Sequence, residues 1–204
     1  QLSADELGRG VITASAGNHA QGVAMAAQCL GIKATIVMGR NTPSIKVNAV
    51  RARGAKVVLH GDSYDEASAH AAEMTAAENL VYVAPYDDVD VIAGQGTVAM
   101  EMMWQFSRNL HAVFIPVGGG GLIAGMAAYI KYLRPEVKVI GVESKESACL
   151  QAALAANSRV VLPEVGRFAD GVAVAYTHQQ HAIAATGSES KAQIRIAARA
   201  ATWA

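Results

Sequence analysis

The sequence has few of the features that mark specialised classes of protein. Aromatic residues make up 5% of its 204 residues, and 17 basic side chains balance 17 acidic ones. Balanced charge excludes a dominant basic surface for nucleic acids or anionic membranes. Two cysteines, Cys29 and Cys149, are too few for a disulfide framework and lack zinc-site spacing. The apolar runs are too short to span a bilayer, and the start QLSADELGRG is no signal peptide. We therefore expect a cytoplasmic protein without a metal site.

Strand-like and helix-like stretches alternate along most of the chain. Apolar runs such as ATIVM (34–38) and KVVLHG (56–61) precede stretches with helical spacing of apolar residues. This alternation predicts an α/β fold with parallel sheets flanked by helices. The strands are apolar throughout, which is typical of sheets covered on both faces. The polar segment 87–96 is predicted to be a loop, and the alternation ends near residue 176.

A run of four glycines, 118–121, separates a predicted strand from a predicted helix. Backbone N–H groups at the start of a helix can bind an anion, and glycine lets that anion approach the backbone closely. The run has neither the Gly-Lys-Ser/Thr of a nucleotide P-loop nor the GxGxxG of a dinucleotide site. A nucleotide-binding domain is therefore disfavoured, whereas a purely structural strand–helix turn stays open as an alternative.

A second turn of this kind is SAGNHAQG, residues 15–22, at the end of the first predicted strand. It places a hydroxyl, an amide and backbone donors at the carboxyl edge of a parallel sheet, where ligands bind in open α/β folds. The alternative is again structural. In that interpretation Asn18 is the N-cap of the helix and His19 is an exposed residue of its first turn.

Five segments in a fixed order carry a family resemblance: SAGNHAQG (15–22), GQGT (94–97), PVGGGGL (116–122), VIGVE (139–143) and FADGVAV (168–174). Together they resemble the two-lobed fold-type II pyridoxal-phosphate enzymes, the tryptophan synthase β-like fold. Within that family the chain is most similar to the threonine dehydratases (threonine ammonia-lyases). The SACLQAAL segment favours these over cysteine synthases and serine racemases. The resemblance covers about residues 8–175, and the sequence departs from the family pattern after Val174.

The resemblance implies a role for each matching position. Gly118, Gly119, Gly120, Gly121 and the Leu122 amide would hold the phosphate of pyridoxal 5′-phosphate. Asn18 would hydrogen-bond the 3-hydroxyl oxygen of the cofactor, and Gly171 would lie near its ring. The substrate carboxylate would bind at Ser15, Ala16, Gly17 and the helix start at His19. Glu143 receives no role.

The family's activity is the PLP-dependent deamination of L-threonine, and in some members L-serine, to a 2-oxo acid and ammonia. With threonine this is the first step toward isoleucine. The family's Schiff-base lysine belongs to a Ser-Phe-Lys-x-Arg-Gly-Ala stretch upstream of SAGNH, which these residues do not include. We therefore expect no catalytic residue within the chain and an incomplete, catalytically impaired lyase. The alternative is a non-catalytic module that binds PLP or oligomerises.

The resemblance also implies an organisation into lobes. Residues 8–107 would form the small lobe, 108–175 part of the large lobe with its glycine turn, and 176–204 a divergent tail. The expected partners are a small amino-acid substrate and further copies of the chain in a dimer or tetramer, without nucleic acid or membrane.

Overall fold

The protein is described from a computed structural model covering residues 2–106, 109–166, 169–172 and 174–177. The predicted tail from residue 178 onward, and Phe168 and Ala173 of the FADGVAV segment, lie outside these described residues. The chain divides into two compact units, Gln1–Pro85 and a second that begins at Tyr86.

The first unit is a four-stranded parallel sheet with helices. Its elements are α1 (Ala4–Arg9), β1 (Val11–Ala14), α2 (Asn18–Leu30), β2 (Ala34–Met38), α3 (Ser44–Arg51), β3 (Lys56–Leu59), α4 (Tyr64–Glu78) and β4 (Val81–Tyr82). The strand order is β3-β2-β1-β4, and every neighbouring pair is parallel. The predicted parallel sheet flanked by helices is confirmed.

Both faces of this sheet are covered by helices. Val11 and Ile36 point to the face packed by α2 and α3, whereas Ile12 and Val37 point to the face packed by α4. Because successive strand residues face opposite sides, β1 and β2 are largely apolar on both faces, apart from the buried Thr13 and Thr35. All of their residues are buried, as the continuous apolar runs predict.

The helix ends of the first unit follow local sequence signals. Gly31 ends α2 in the left-handed conformation, with φ 66°. Ser63 caps α4 reciprocally with Glu66, whose carboxylate accepts from the Ser63 backbone N–H. Such capping boxes satisfy amides that have no partner within the helix. These short-range interactions made the ends of both helices predictable.

The second unit contains α5 (Val89–Gln105), β5 (Ala112–Pro116), α6 (Gly121–Leu133), β6 (Lys138–Val142) and α7 (Cys149–Ala156). Strands β5 and β6 are parallel, with Ala112 opposite Lys138 and Pro116 opposite Val142. One face of the pair packs Val113 and Ile115 into a core with α5, α6 and α7. On the other face Phe114 is 64% exposed. Among the described residues, only one face of this strand pair is thus covered.

Segment 87–96 is helical for most of its length, so the prediction of a loop is wrong. Helix α5 begins at Val89 because the Asp88 carboxylate accepts from the N–H groups of Asp90, at 2.9 Å, and Val91, at 3.0 Å. The two glycines of GQGT, which weaken a helix in isolation, lie inside α5. The predicted lobe boundary after residue 107 stays a prediction, and α5 belongs to the second compact unit.

Helices α5 and α6 approach each other at glycines. A Cβ atom on Gly96 would lie 3.2 Å from the carbonyl oxygen of Gly125. A Cβ atom on Gly125 would lie 2.8 Å from the backbone nitrogen of Gly96 and would also meet the carbonyl oxygen of Ile92. The contact is between backbone and backbone, so neither helix can admit a side chain at these positions without moving. Within the described residues, no helix is both long and apolar enough to cross a bilayer.

We expect Gly125→Ala to lower the free energy of unfolding by about 1–3 kcal/mol, because the added methyl overpacks a backbone contact. The matched control is Gly94→Ala in α5, where a Cβ atom meets nothing within 4 Å. This control should leave stability unchanged or raise it by about 0.5–1 kcal/mol through the helix propensity of alanine. Urea denaturation followed by circular dichroism measures both. Equal losses of stability in the two variants would contradict the assigned contact.

Candidate functional site

Residues 118–121, called here the glycine turn, connect β5 to α6. Val117 still belongs to the sheet, since its N–H donates to the carbonyl of Val142 at 2.9 Å. Gly120 is the N-cap of α6 and has φ 96°, a left-handed backbone that residues with a Cβ rarely adopt. The turn therefore reverses the chain sharply at the carboxyl edge of the strand pair.

Tyr86 occupies the space beside two of the glycines. A Cβ atom on Gly119 would overlap the Tyr86 ring. A Cβ atom on Gly121 would lie 2.7 Å from the Tyr86 carbonyl oxygen. Glycine is required at both positions because the ring and backbone of Tyr86 already fill that side.

The other two glycines face segments from later in the chain. A Cβ atom on Gly118 would lie 3.1 Å from Cα of Val172. A Cβ atom on Gly120 would lie 2.7 Å from the Thr177 hydroxyl oxygen. Packing alone thus accounts for all four glycines, so the structural alternative explains their presence without a ligand.

The backbone donors of the turn require a further explanation. Within the described residues, the N–H groups of residues 118–123 donate to no backbone carbonyl or side chain. The first donor of α6 that has a partner is Ala124, whose N–H reaches the Gly120 carbonyl at 3.0 Å. The first turn of α6 carries no acidic side chain. A row of free amides at the positive end of a helix without nearby carboxylates is suited to an anion.

The Ser15–His19 turn of the first unit connects β1 to α2. The Ser15 hydroxyl oxygen accepts from the Gly17 N–H at 3.2 Å, a local bond that tightens the turn. The N-cap of α2 is Gly17, and Asn18 is the first helical residue. The structural alternative of Asn18 as N-cap is therefore wrong. Its exposed side chain makes no hydrogen bond within the described part of the chain.

His19 turns away from solvent rather than lying exposed. Its Nε2 atom is 3.1 Å from the Thr13 hydroxyl oxygen and 3.2 Å from the Val83 carbonyl oxygen. Since a carbonyl can only accept, Nε2 carries the proton and donates to Val83. Burial lowers the pKa of His19, and the hydrogen bond to Val83 partly opposes that shift. The neutral imidazole thus packs inside the first unit, where it bonds Val83 and contacts Thr13. His19 therefore offers the turn its backbone N–H and not its ring.

The start of α2 offers donors like those of the glycine turn. The N–H groups of Ala16, Asn18, His19 and Ala20 have no acceptor among the described residues. The first turn of α2 has no acidic residue. The predicted residues thus form two separate groups: the Ser15–His19 turn in the first unit and the glycine turn in the second. Gly171 lies in a 3-10 turn, Asp170–Val172, whose last residue contacts Gly118.

Glu143, for which the sequence indicates no role, is 3% exposed at the end of β6. Its carboxylate accepts from the N–H groups of Leu150, at 2.8 Å, and Gln151, at 3.0 Å, at the start of α7. Burial raises the pKa of Glu143, and these two hydrogen bonds oppose the rise. The Cys149 sulfur lies 3.7 Å from this carboxylate and 3.8 Å from the carbonyl oxygen of Gly118. Glu143 therefore links the end of β6 to α7, and Cys149 lies between this carboxylate and the glycine turn.

A family model described as "Pyridoxal-phosphate dependent enzyme" matches residues 2–201 of the chain. The chain belongs to the pyridoxal-phosphate-dependent enzyme family. The match covers the glycine turn, the Ser15–His19 turn and Glu143 alike. The α/β fold with parallel sheets flanked by helices is the fold of solved fold-type II members, as the sequence predicted.

Within this PLP-dependent family, the chain is similar in sequence to threonine dehydratases. The chain is 58% identical over 173 residues to a biosynthetic L-threonine dehydratase of Pasteurella multocida, which covers 85% of the chain and 34% of that relative. A threonine deaminase isoform of Solanum lycopersicum superposes with a TM-score of 0.87 at 49% identity, covering 97% of the chain and 57% of that structure. The chain spans about a third of the length of the curated relatives it matches.

A second solved structure has the same fold as this chain at a much lower sequence identity. A maize serine racemase superposes with a TM-score of 0.88 over 97% of the chain and 58% of that structure, but is only 28% identical. The fold is therefore shared by racemases and deaminases of the PLP-dependent family, whereas the sequence follows the dehydratases. The resemblance to threonine dehydratases expected from the sequence is confirmed.

His19 gives the fold a pH dependence with a defined sign. Its pKa in the folded chain is below the ordinary value of about 6.5, so the unfolded chain binds the proton more readily. The stability that the neutral ring contributes is complete above about pH 6.5 and is lost as the pH falls below it. We expect His19→Gln to lose less unfolding free energy than the native chain between about pH 7.5 and 5.5.

Urea denaturation at a series of pH values measures this difference. All other titrating groups are shared by the two proteins and cancel when their stabilities are subtracted. Parallel pH profiles for the native chain and His19→Gln would contradict a neutral, buried His19.

Proposed function

We propose that this chain carries the phosphate-binding and substrate-carboxylate-binding turns of a PLP-dependent threonine dehydratase. The reaction of the whole protein is the deamination of L-threonine to 2-oxobutanoate and ammonia. The water eliminated from the amino acid is regained on hydrolysis, so the reaction needs no oxidant. The observation that carries the proposal is the row of unpartnered amides at residues 118–123, in a chain 58% identical to a threonine dehydratase.

The glycine turn fits a phosphate ester. The amides of Gly118, Gly119, Gly120, Gly121 and Leu122 are consecutive donors at the start of a helix of 13 residues. A phosphate monoester carries up to two negative charges, and its oxygens accept several hydrogen bonds each. Atoms of Tyr86, Val172 and Thr177 occupy the space next to the four glycines in which Cβ atoms would lie. The donors need no rearrangement of side chains to bind the anion.

The Ser15–His19 turn fits a carboxylate. The amides of Ala16, Asn18 and His19 have no partner among the described residues, and α2 adds the positive end of its dipole. Ser15 and Gly17 hold the turn in shape through their mutual hydrogen bond. The Asn18 side chain, exposed at the helix start, is free to donate to the 3-hydroxyl oxygen of the cofactor.

Pyridoxal phosphate, when bound, supplies an electron sink for the charge that remains when the Cα–H bond of the amino acid is broken. The residues of this chain hold and orient: the glycine turn fixes the phosphate, and the Ser15–His19 turn fixes the substrate carboxylate. Fixing an anionic group of a reactant is the contribution of positioning to catalysis.

The alternative function is a non-catalytic module that binds PLP or oligomerises. None of the seven lysines lies in a Ser-Phe-Lys-x-Arg-Gly-Ala stretch. Binding of the cofactor phosphate does not require that lysine, whereas covalent catalysis does. The two proposals therefore share the cofactor site and differ in turnover.

The lobe organisation, the oligomeric state and the cellular location belong to the same proposal. Residues 8–107 and 108–175 are proposed as parts of the small and large lobes of the whole protein. A homo-oligomer and a cytoplasmic location are proposed from the similarity to biosynthetic threonine dehydratases.

Cofactor binding tests the proposal directly. We expect pyridoxal phosphate to bind the purified chain saturably, as measured by a visible absorption scan with mass analysis after borohydride treatment. Gly120→Ala should weaken binding about tenfold or more, because its φ of 96° and the Thr177 hydroxyl leave no room for a methyl group. Gly94→Ala, at an open helical position, should bind as the native chain does.

Assaying 2-oxobutanoate release from L-threonine distinguishes the two functions. Saturable binding with turnover supports the dehydratase, and saturable binding without turnover supports the non-catalytic module. Absence of saturable binding to the native chain would overturn the cofactor site itself.

A further inference from the structure

Thr177 is a buried polar residue that the cofactor site described so far does not use. Its side chain is 0% exposed, and its hydroxyl donates to the Gly119 carbonyl oxygen at 3.1 Å. The preceding segment is tied down by a hydrogen bond of 2.8 Å from the Leu162 N–H to the Ala175 carbonyl. Thr177 follows the FADGVAV segment and belongs to none of the five segments that carry the family resemblance.

The hydrogen bond from Thr177 determines how one peptide group of the glycine turn is oriented. The Gly119–Gly120 peptide is planar and trans, like all others described, so its C=O and its N–H point in opposite directions. With the Gly119 carbonyl held toward Thr177, the Gly120 N–H must point away from Thr177. The hydroxyl thus sets the direction of a donor that it does not touch.

This peptide has little other restraint. It is flanked by two residues without Cβ atoms, and glycine adopts positive and negative φ with similar ease. Rotation of the peptide would exchange its N–H for its carbonyl oxygen on the open side of the turn. An oxygen there would repel an anion, so the turn binds a phosphate well only while the carbonyl is held behind it.

We propose that Thr177 is a positioning residue of the phosphate site, whose hydroxyl holds the Gly119 carbonyl back so that the Gly120 N–H faces the bound phosphate. The inference rests on the proposed cofactor site and adds to it a residue outside the glycine turn. It predicts that removing the hydroxyl weakens the binding of the phosphate group and leaves the affinity for the rest of the cofactor unchanged.

Two probes separate these parts. Pyridoxine 5′-phosphate carries the ring and phosphate but no aldehyde, so it forms no adducts with lysines, and pyridoxine is its phosphate-free counterpart. Isothermal titration calorimetry of the native chain with each probe gives the contribution of the phosphate as a ratio of dissociation constants. Competition by inorganic phosphate gives a second measure of the same site.

Thr177→Val removes the hydroxyl at nearly constant volume, and Thr177→Ser keeps it. We expect Thr177→Val to bind pyridoxine 5′-phosphate about tenfold more weakly, the effect of losing one effective hydrogen bond, with pyridoxine affinity unchanged. Thr177→Ser should restore binding to within about twofold of the native value. Weaker competition by inorganic phosphate should accompany the loss in Thr177→Val.

A control accounts for lost stability, because Thr177→Val also leaves the Gly119 carbonyl without its partner. Val50→Ala truncates a buried side chain in the first unit and should lower the unfolding temperature without changing the ratio of the two affinities. An unchanged ratio in Thr177→Val, or an equal loss for pyridoxine, would overturn the positioning role. If the native chain does not bind pyridoxine 5′-phosphate, the proposed cofactor site fails, and this inference fails with it.

Discussion

The second unit depends on the close approach of backbone to backbone. Helices α5 and α6 meet at Gly96 and Gly125, where a single added methyl group would overlap main-chain atoms. Helix α5 is preceded by Tyr86, whose ring and carbonyl lie directly beside Gly119 and Gly121. The packing of α5 on α6 therefore also sets the position of the residue that supports the glycine turn. The conformation of the glycine turn therefore depends on the contact between α5 and α6 at Gly96 and Gly125.

The helix N-termini of this chain are satisfied in two different ways. At α7 the buried carboxylate of Glu143 accepts from two amides, so the protein itself supplies the acceptor at that helix start. At α6 and α2 the first amides have no partner among the described residues, and no acidic side chain lies in the first turn. Each helix start carries the partial positive charge of its unpaired amides. What differs is whether the protein supplies the negative charge or leaves that place to a ligand.

Features that depend on a few neighbouring residues could be predicted from the sequence. The alternation of strands and helices, the left-handed Gly31 and the acidic start of α4 are encoded within a turn or two of chain. The two turns that carry the proposed site were found for the same reason, since each lies within one strand–turn–helix segment. The parallel arrangement of the strands was predictable because the strand segments are largely apolar and alternate with helices.

Features that depend on residues distant in sequence were missed. Segment 87–96 looks like a loop because its glycines weaken an isolated helix, and the α6 backbone that requires Gly96 comes about thirty residues later. His19 looks exposed at a helix start, but its partner Val83 lies 64 residues further along the chain. Thr177 likewise bonds Gly119, 58 residues earlier. Glu143 was missed although its partners, Leu150 and Gln151, follow within eight residues. A buried carboxylate after a strand, facing a helix start, is a signal that could have identified Glu143.

The crowding behind the glycine turn has a consequence at the level of the gene. Glycine is the one residue without a Cβ atom, so every missense change in the codons for residues 118–121 adds an atom to that side of the turn. The space for that atom is held by Val172, Tyr86 and Thr177. Because Gly118 and Gly121 face main-chain atoms and Gly120 has a positive φ, a substitution at Val172, Tyr86 or Thr177 could relieve only part of this crowding. In a population of variant sequences, this segment would show the imprint of purifying selection most clearly.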